Sequence, residues 1–331
     1  MKYDLSRIRF EALAYVETFQ LPSKGVGAYR MPQNPEASMY ASCDVAIMRT
    51  IMGEDLSQTL TADQRREWIA HINAFSTPDG NYQRFTHHSF EHANGMVIGT
   101  LGPLGGRQSH PVRLYDGFDT PEKVRPWLEG VNWQEQWSGS HLFWGGAHCF
   151  SMSRRCTDEW RCVVLDWLDA ELDSETGWWR KGVPPAPWLP ALQPLGGGAH
   201  IWPIYQHHHR QFPLPERVID SILALQKPEA CWLEFGNYMD LDALYGLTYM
   251  SSLAPNHRPE DLALAAHRHG QELVKRWPAF LAGKPNLHVL LGAIGAFGLL
   301  NQLLPHVYHD NVSWTDIFSD RRLYRTAEVE A

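Results

Sequence analysis

Side chains with acid/base chemistry recur along this sequence, each near the start of an otherwise apolar stretch. They lie about fifty residues apart, except where a proline-rich loop lengthens one interval. Carboxylates and imidazoles transfer protons readily near neutral pH, so a shared site made of them would suit acid/base catalysis. The recurring residues, all predicted to be catalytic, are Asp44, His92, His141, His200, Asp240 and His288.

The acid predicted to face the pocket is Asp240. Asp240 and Asp242 open one apolar stretch two residues apart, and two residues turn a helix by about 200°. Only one of them can therefore face a central pocket, and we expect the other to cap or brace the helix. His200 and His288 come from the preceding and following stretches, so we expect them beside Asp240, which would fix their tautomers and raise their basicity.

Each of these residues also has a structural interpretation. Asp44, Asp240 and Asp242 stand where a carboxylate can cap the first turn of a helix. A single histidine on a buried helix is often a hydrogen-bonded residue of the core. A shared site is favoured because six such residues recur at equivalent positions, each near the start of a predicted buried helix.

Aromatic residues supply the candidate substrate-binding surface. The chain has 14 tryptophans, and several lie in segment 177–194, which is longer than a typical connection between helices. Aromatic rings suit sugar or hydrocarbon substrates, although a large aromatic core explains the composition equally well. The predicted substrate-binding residues are Trp144, Tyr205, Tyr238, Trp178, Trp179 and Trp188.

No metal ion or cofactor is predicted. The run His207-His208-His209 suggests a metal site, but consecutive helical residues point in different directions, and we expect this run near solvent at a helix end. His87-His88 precedes His92 in a loop that could reach the pocket. The glycine-rich stretches 102–106 and 196–198 match no phosphate-binding loop and are interpreted as helix ends.

The elements that must position these residues are predicted to be helices. A Thr61–Gln64 capping box, Thr120-Pro121 and Pro215-Glu216 mark helix starts. The stretches that carry the candidate residues are apolar nearly all round, as buried helices are. Few segments alternate polar and apolar residues, so strand content should be small. A helix over Ile201–His209 should be short or start late because Pro203 lies in its first turn.

One outer and one buried helix in each unit of about fifty residues indicate a closed helical array. The predicted fold is all-α, an (α/α)6 toroid of about six helical hairpins. It forms a single domain over residues 1–331, with an irregular tail from about residue 311. In such a toroid the N-terminal ends of the inner helices meet at one mouth, which would bring the candidate residues together.

Three turns carry a resemblance to known families. They resemble the QxxDGxW-type turns of prenyltransferase and terpene-cyclase repeats, where Pro or Asp with Gly forms the turn and an aromatic residue fastens neighbouring hairpins. The period is also similar to that of six-hairpin glycosidases and polysaccharide lyases. The resemblance spans nearly the whole chain and implies a six-hairpin fold. The turns are Ser76-Thr-Pro-Asp-Gly-Asn-Tyr82, Leu172-Asp-Ser-Glu-Thr-Gly-Trp178 and Gln226-Lys-Pro-Glu-Ala-Cys-Trp232.

The same families suggest two comparisons at single positions. Class II terpene cyclases carry a DxDD motif at the head of an inner helix, and Asp240-Leu-Asp242-Ala matches two of its three acids. Protein prenyltransferase β subunits bind zinc through Asp, Cys and His on comparable helices. Asp240 and His288 fall at similar places, and Asp242 stands where the Cys would be.

Composition argues against several classes of protein. A net charge of -8 disfavours nucleic-acid binding, which needs a basic face. Charged residues scattered through 2–17 disfavour a signal peptide, and no run of about 18 apolar residues predicts a membrane span. Five cysteines without CxxC spacing indicate free thiols in a reducing compartment, so a cytoplasmic location is predicted.

These features predict a carbohydrate-active enzyme that acts on a small molecule or an oligosaccharide. A glycoside hydrolase and a uronic-acid lyase or epimerase both fit acids, imidazoles and tryptophans at one mouth. For a lyase, a histidine with Tyr205 or Tyr238 is a usable proton-transfer pair. A terpene or prenyl cyclase-like enzyme is one alternative, and a non-catalytic toroid that binds a glycan or a protein is another.

Overall fold

The computed structural model describes residues 2–85, 88–179 and 189–329. Helices dominate these ranges, and the strands within them are only two residues long, so the all-α prediction is confirmed. The α-helices, numbered in chain order, are α1 Ser6–Glu17, α2 Met39–Ile51, α3 Leu56–Thr59, α4 Ala62–Asn73, α5 Phe90–Leu104, α6 Pro121–Gly130, α7 Gln136–Gly139, α8 Cys149–Met152, α9 Asp158–Ala170, α10 Gln193–His207, α11 Pro215–Leu225, α12 Tyr238–Leu253, α13 Pro259–Ala282, α14 Leu287–Leu303 and α15 Arg325–Val329.

Shorter elements link these helices. A π-helical segment, Phe143–His148, runs directly into α8. Strand β1, Tyr3–Asp4, pairs in parallel with β2, Tyr308–His309, so an early and a late part of the chain meet. The 3₁₀ turns are Pro22–Lys24, Arg113–Gly117 and Arg321–Tyr324.

The long helices fall into two groups that differ in burial. In α14 every residue from Leu290 to Leu300 is buried, whereas α11 buries only Val218, Ile219 and Ile222. A helix that is apolar on all sides belongs in a core, and one with a single apolar stripe belongs at the surface. We call α2, α5, α10, α12, α14 and the π-helical segment with α8 the inner helices. The outer helices are α1, α4, α6, α9, α11 and α13.

The inner helices contact one another in a closed cycle. Helix α2 packs against α5, and α5 packs against the π-helical segment, which in turn contacts α10. Helix α10 packs against α12, α12 against α14, and α14 against α2. Outer and inner helices alternate along the chain. The long-range packing of the chain is therefore organised around this cycle.

The segment after α14 covers the C-terminal ends of inner helices. An added Cβ on Gly102, near the end of α5, would lie only 2.5 Å from the carbonyl oxygen of Arg322. A Cβ on Gly298, near the end of α14, would overlap the carbonyl oxygen of Thr315. Glycine at both positions lets the main chain of the tail pack directly on these helices, so the opposite end of the cycle remains for a site.

The three turns singled out in the sequence share a hydrogen-bond pattern. In each, an early main-chain N–H donates to a carbonyl oxygen four or five residues later. The pairs are Thr77–Asn81, Asp173–Trp178 and Lys227–Cys231. The aromatic residue beyond the turn is tied to the preceding outer helix: the Nε1–H of Trp179 donates to Leu168 O at 3.1 Å. Trp232 makes the equivalent bond to Ile222 O at 2.9 Å.

Helix α10 differs from its prediction. It begins at Gln193 rather than Ile201 and contains Pro203. The interpretation of 196–198 as a helix end is wrong, because these glycines lie inside α10. They are needed for packing, since a Cβ on Gly196 would overlap the Trp137 side chain. Gly105 does end a helix as interpreted, with φ at 70° after α5.

Other local predictions are confirmed. The Thr61 side chain accepts from the main-chain N–H of Gln64, and the Gln64 side chain binds back to the Thr61 N–H, which completes the capping box of α4. Helix α11 starts at Pro215 as the sequence indicated. Within the three described ranges, no helix is both long enough and apolar enough to cross a membrane.

Candidate active site

A cavity of about 620 Å³ lies at the N-terminal ends of inner helices. Its walls come from the region before and within the first turn of α5, the first turns of α12 and α14, the middle of α10, and the segment around α7. Four of the six residues predicted to be catalytic are on its surface. The described lining residues are His88, His92, Glu135, Trp137, Ser138, His141, His200, Tyr238, Asp242 and His288.

Three histidines form a compact cluster on one wall. One nitrogen from each of His88, His92 and His141 lies within 4.8 Å of the others. The His88 and His92 rings stack with their centroids 4.0 Å apart, and the His141 ring meets His92 at 4.9 Å. Burial, with the neighbouring histidines, lowers the pKa of His92 well below its ordinary value, so its imidazole is neutral at pH 7.

The π-helical segment brings His141 against α5. A Cβ on Gly145 would overlap the carbonyl oxygen of Glu91, so main chain packs directly on main chain here. Gly95 on the α5 side is equally restricted, because a Cβ there would lie 2.8 Å from the Trp144 ring. His141 lies two residues before the π-helical segment. Glycines on both helices therefore set the separation between His141 and the histidines of α5.

His200 is held in one tautomer by Ser140. The Ser140 hydroxyl donates to the carbonyl oxygen of Trp137 at 3.1 Å, so its oxygen is left to accept from His200 Nδ1 at 2.7 Å. The proton then resides on Nδ1, and Nε2 carries the lone pair. Burial lowers the pKa of His200 to about 4, which keeps the ring neutral near pH 7. A neutral imidazole with a free lone pair is a suitable general base.

His288 is oriented by a buried carboxylate. Its Nδ1 lies 2.9 Å from Asp44 Oδ1 and 3.2 Å from the Tyr238 hydroxyl oxygen. The carboxylate is the stronger acceptor, so Nδ1–H donates to Asp44. Asp44 is fully buried and is not part of the cavity surface, which makes it a positioning residue rather than a group that touches substrate. Burial raises the pKa of Asp44, and the nearby His288 opposes that rise.

The prediction that Asp240 is the pocket acid is wrong, because the helix presents Asp242 to the cavity instead. Asp240 Oδ1 accepts from the main-chain N–H of Trp232 at 2.8 Å, and its Oδ2 lies 4.0 Å from His269 Nδ1. Asp240 therefore braces the turn before α12. Its expected neighbours His200 and His288 line the cavity without it.

Asp242 has the environment of a protonated acid. It is 2 % exposed, and its Oδ2 has no hydrogen-bond partner among the described residues. Burial, together with the charge of Asp240, raises the pKa of Asp242 well above its ordinary value. The raised pKa favours the protonated carboxyl group, which is the form that can donate a proton.

Several predicted substrate-binding residues belong to the core instead. Trp144 is buried and donates from Nε1 to the Tyr324 hydroxyl at 2.8 Å. Trp178 and Trp179 pack near the Trp202 ring, with centroids 6.2 and 6.5 Å away. None of the three lines the cavity. Large aromatic side chains can either fill a core or line a cavity, and these three fill the core.

The two predicted tyrosines have different positions. Tyr238 lines the cavity as predicted, and burial raises its pKa well above the ordinary value, so it is a neutral phenol. Tyr205 lies in the later half of α10, and its hydroxyl donates to Asp169 on α9 at 2.8 Å, away from the cavity. The prediction for Tyr205 is therefore wrong. Trp188 lies outside the described residues.

The sequence prediction missed five lining residues: His88, Glu135, Trp137, Ser138 and Asp242. Three of them lie in or beside α7, a four-residue helix with no periodic pattern to reveal it. His88 was not among the predicted site residues, although the pair His87-His88 was expected to lie in a loop that could reach the pocket. Among the described lining residues no lysine or arginine occurs, and the titratable groups they supply are imidazoles, carboxyl groups and a phenol.

The run 207–209 is divided between different environments. His207 is buried and its Nδ1 lies 2.7 Å from His148 Nε2, so the expectation that the run sits near solvent is wrong for this residue. His208 Nε2 lies 2.8 Å from the Ser151 hydroxyl. His209 is exposed and has φ at 53°. The three rings do not converge on one point.

Comparisons with known proteins do not assign a family. No family model matches the chain, and no solved structure matches it. A probable sulfate/thiosulfate import ATP-binding protein from Chlorella vulgaris is 36% identical over 59 residues. That match covers 18% of this chain and 25% of the other protein. The chain thus spans about a quarter of this relative's length, which is too little to show a shared family.

Proposed function

We propose that the chain forms a single (α/α)6 toroid domain. The closed cycle of inner helix contacts and the alternation of outer and inner helices support this architecture. The turns tied to their preceding outer helices by Trp179 and Trp232 add the feature expected of helical-hairpin repeats. In this arrangement the cavity is the mouth of the toroid.

We further propose that the protein is a carbohydrate-active enzyme, a glycoside hydrolase or a uronic-acid lyase or epimerase. The observation that carries the proposal is the convergence of His200, His288, Tyr238 and Asp242 from three inner helices on one cavity. A cavity of about 620 Å³ has the size of a small-molecule site, so a mono- or oligosaccharide end is the proposed substrate.

The groups divide into proton donors and proton acceptors. Burial raises the pKa values of Asp242 and Tyr238, which favours the protonated form of both groups. His200 presents an Nε2 lone pair because Ser140 holds its other nitrogen. Acid and base in one buried site are what both proposed reactions need: hydrolysis needs a donor to the leaving oxygen, and elimination needs removal of the proton beside a carboxylate.

Two further lining residues suit substrate binding. Trp137 is half-buried at the cavity wall and offers a ring for stacking against the apolar face of a sugar. Glu135 is half-buried beside it and, with Asp242, is one of the two carboxyl groups among the described lining residues. For a hydrolase these two are the proposed carboxyl pair. For a lyase the neutral Asp242 would donate a hydrogen bond to the substrate carboxylate.

Product chemistry distinguishes the two carbohydrate reactions. The purified chain would be incubated with neutral oligosaccharides and with uronic-acid oligosaccharides. New reducing ends without ultraviolet absorption indicate hydrolysis, the absorption of an unsaturated uronide indicates elimination, and a change in the uronic-acid isomer without either signal, followed by nuclear magnetic resonance, indicates epimerisation. Binding without any product in either set would favour the non-catalytic glycan-binding alternative and would contradict the proposed activity.

One observation favours a second candidate, a terpene or prenyl cyclase-like enzyme. Asp242 is a buried carboxyl group near the start of an inner helix, and burial raises its pKa well above the ordinary value, which suits a group that protonates an alkene. The abundance of imidazoles around the cavity fits a polar substrate better than a hydrocarbon. Conversion of a linear polyprenyl substrate to a cyclic hydrocarbon, detected by mass spectrometry, would decide for the cyclase.

We also propose a cytoplasmic location and no nucleic-acid partner. All five cysteines are free, which suits a reducing compartment. The net charge of -8 opposes binding to a polyanion. Fractionation of the source cells with an antibody against the chain would test the location.

A further inference from the structure

The histidine cluster of the cavity has a chemistry that acid/base catalysis does not require. We infer that His88, His92 and His141 form a binding site for a divalent first-row transition metal ion, with Zn²⁺ as the probe. One nitrogen from each lies within 4.8 Å of the other two, and all three residues are buried. No metal site was predicted from the sequence, and the two features that suggested one, the run 207–209 and the resemblance of Asp240 and His288 to prenyltransferase zinc ligands, involve other residues.

The donor set defines the class of metal. Three neutral imidazoles suit zinc, copper, iron or nickel and not magnesium or calcium, which prefer oxygen ligands. Tetrahedral zinc with Zn–N bonds of about 2.0–2.1 Å needs nitrogens roughly 3.3 Å apart. The nitrogens here lie within 4.8 Å of one another, so metal binding requires the side chains to rotate, above all the His88 and His92 rings, which now stack with their centroids 4.0 Å apart.

The protonation states favour metal binding. A ligand imidazole must be neutral, and all three rings are buried beside one another, which disfavours their charged forms. Three adjacent buried imidazoles cannot all be charged at low cost, because each positive charge would repel the next. A bound cation would use the lone pairs that this arrangement gathers in one place.

Tyr40 supplies the outer contact that a metal-binding histidine usually has. Its hydroxyl oxygen lies 3.0 Å from His92 Nδ1, in a buried position. When Nδ1–H donates to Tyr40, Nε2 is left for the ion and the ring is fixed in orientation. The separation between His141 and α5 is fixed in turn by Gly145, whose hydrogen allows main-chain contact with Glu91.

Three protein ligands leave one position of a tetrahedral ion for water or substrate. Since His88, His92 and His141 all line the cavity, this position faces the same space as His200 and Asp242. Three protein ligands are typical of catalytic zinc sites, whereas structural zinc sites have four. The metal site does not depend on the identity of the substrate, so it can be tested without one.

The test is a zinc titration of the purified full-length chain after treatment with a chelator. Affinity is measured by competition with a chromophoric chelator, and bound metal is measured by elemental analysis. The expected result is one zinc ion per chain. His92→Gln and His141→Gln should each weaken zinc binding by more than about tenfold, and Tyr40→Phe by about 10–100-fold. His257→Gln, which changes a half-buried histidine paired with Asp220, should bind zinc as the wild type does.

Two results would overturn the site. One is a wild-type chain with native helical circular dichroism that takes up no zinc. The other is zinc binding that is equally strong in wild type, His92→Gln, His141→Gln and Tyr40→Phe, which would place the ion elsewhere. If the histidine variants fail to fold, Tyr40→Phe decides, because it removes one oxygen and keeps the ring. A chain that binds zinc but converts no carbohydrate would retain the metal site and reject the proposed activity.

Discussion

His288 Nδ1 lies 2.9 Å from Asp44 Oδ1, a contact between residues 244 positions apart in the chain. Asp44 belongs to α2 and His288 to α14, so this bond joins the first and the last inner helix of the cycle. The contact closes the ring of inner helices and at the same time fixes the tautomer of a residue that lines the cavity. The Asp44–His288 pair therefore contributes both to the contact between α2 and α14 and to the geometry of the cavity.

The Asp44–His288 pair should act as one unit. Asp44→Asn and His288→Gln are each expected to lower turnover at least about a hundredfold, because an unoriented imidazole loses its correct tautomer. The double variant should be no worse than the poorer single variant. Steady-state kinetics of the wild type, the two single variants and the double variant provide the test. Losses that multiply would show that the two residues act independently.

Substitution of Asp242 should lower turnover, whereas substitution of Asp240 should lower the stability of the fold. Asp242→Asn replaces a cavity-lining acid by a group of the same shape, so turnover should fall at least about a hundredfold with little change in melting temperature. Asp240→Ala leaves the Trp232 N–H without its acceptor, which should cost about 1–3 kcal/mol of stability while turnover is kept. Kinetics and thermal unfolding of both variants provide the measurement. The reverse pattern would restore Asp240 as the pocket acid.

Gly196 should be required for the position of Trp137. A Cβ at Gly196 would overlap Trp137 near its own Cβ, so rotation of the ring cannot relieve the clash. Gly196→Ala should therefore cost about 1–3 kcal/mol in unfolding free energy and should weaken substrate binding. Gly130→Ala is the matched control, because a Cβ there meets no atom within 4 Å. Equal stability of the two variants would argue against tight packing at Gly196.

Stability should fall as the pH falls from about 6.5 towards 4. Burial lowers the pKa values of His207, His208 and His269 to about 4, below the ordinary value near 6.5 of the unfolded chain. The unfolded state thus takes up protons first, and the free energy of unfolding decreases. The carboxyl groups of Asp44, Asp240 and Asp242 act in the opposite sense, because burial raises their pKa values, that of Asp240 to about 7. Among the described residues these three groups are outnumbered by seven histidines, since burial also lowers the pKa values of His71, His92, His148 and His200.

Denaturant unfolding at several pH values tests this balance. The His207→Gln variant should show a shallower loss of stability between pH 6.5 and about 4, because one of the titrating groups is gone. A free energy of unfolding that stays constant or rises over this range would contradict the prediction.

Part of the site could be predicted because its residues mark the beginnings of helices. His92 and His288 follow capping residues by a few positions, and Ser89 and Asn286 do accept from the main-chain N–H groups of His92 and Val289. Short-range chemistry of this kind is visible in the sequence. It was enough to predict an all-α chain and to gather four of the cavity residues.

The choice between Asp240 and Asp242 could not be predicted from periodicity. Helix α12 is buried on nearly all faces, so no polar face defines its rotation about the helix axis. One residue corresponds to about 100° of rotation. The bond from Trp232 to Asp240, made across the preceding turn, settles that rotation, and it is a tertiary contact.

Glycines and tryptophans were misassigned for a related reason. Glycine has a low helix propensity, which led to the prediction that Gly196 and Gly198 end a helix. Both lie inside α10 instead, and glycine is required there because Trp137 and Trp202 occupy the space where a Cβ atom would be. Whether a tryptophan lines a cavity or fills a core depends on such neighbours. Trp137 lines the cavity, whereas Trp179 packs near Trp202 in the core.

The most direct test of the central claim, that this cavity is the active site, is a crystal structure of the Asp242→Asn variant with an oligosaccharide identified by the product assay. The sugar is expected against Trp137, with a hydroxyl or glycosidic oxygen within hydrogen-bond distance of His200 Nε2 and of the side chain at position 242. A sugar bound at any other surface, with the cavity empty, would contradict the assignment.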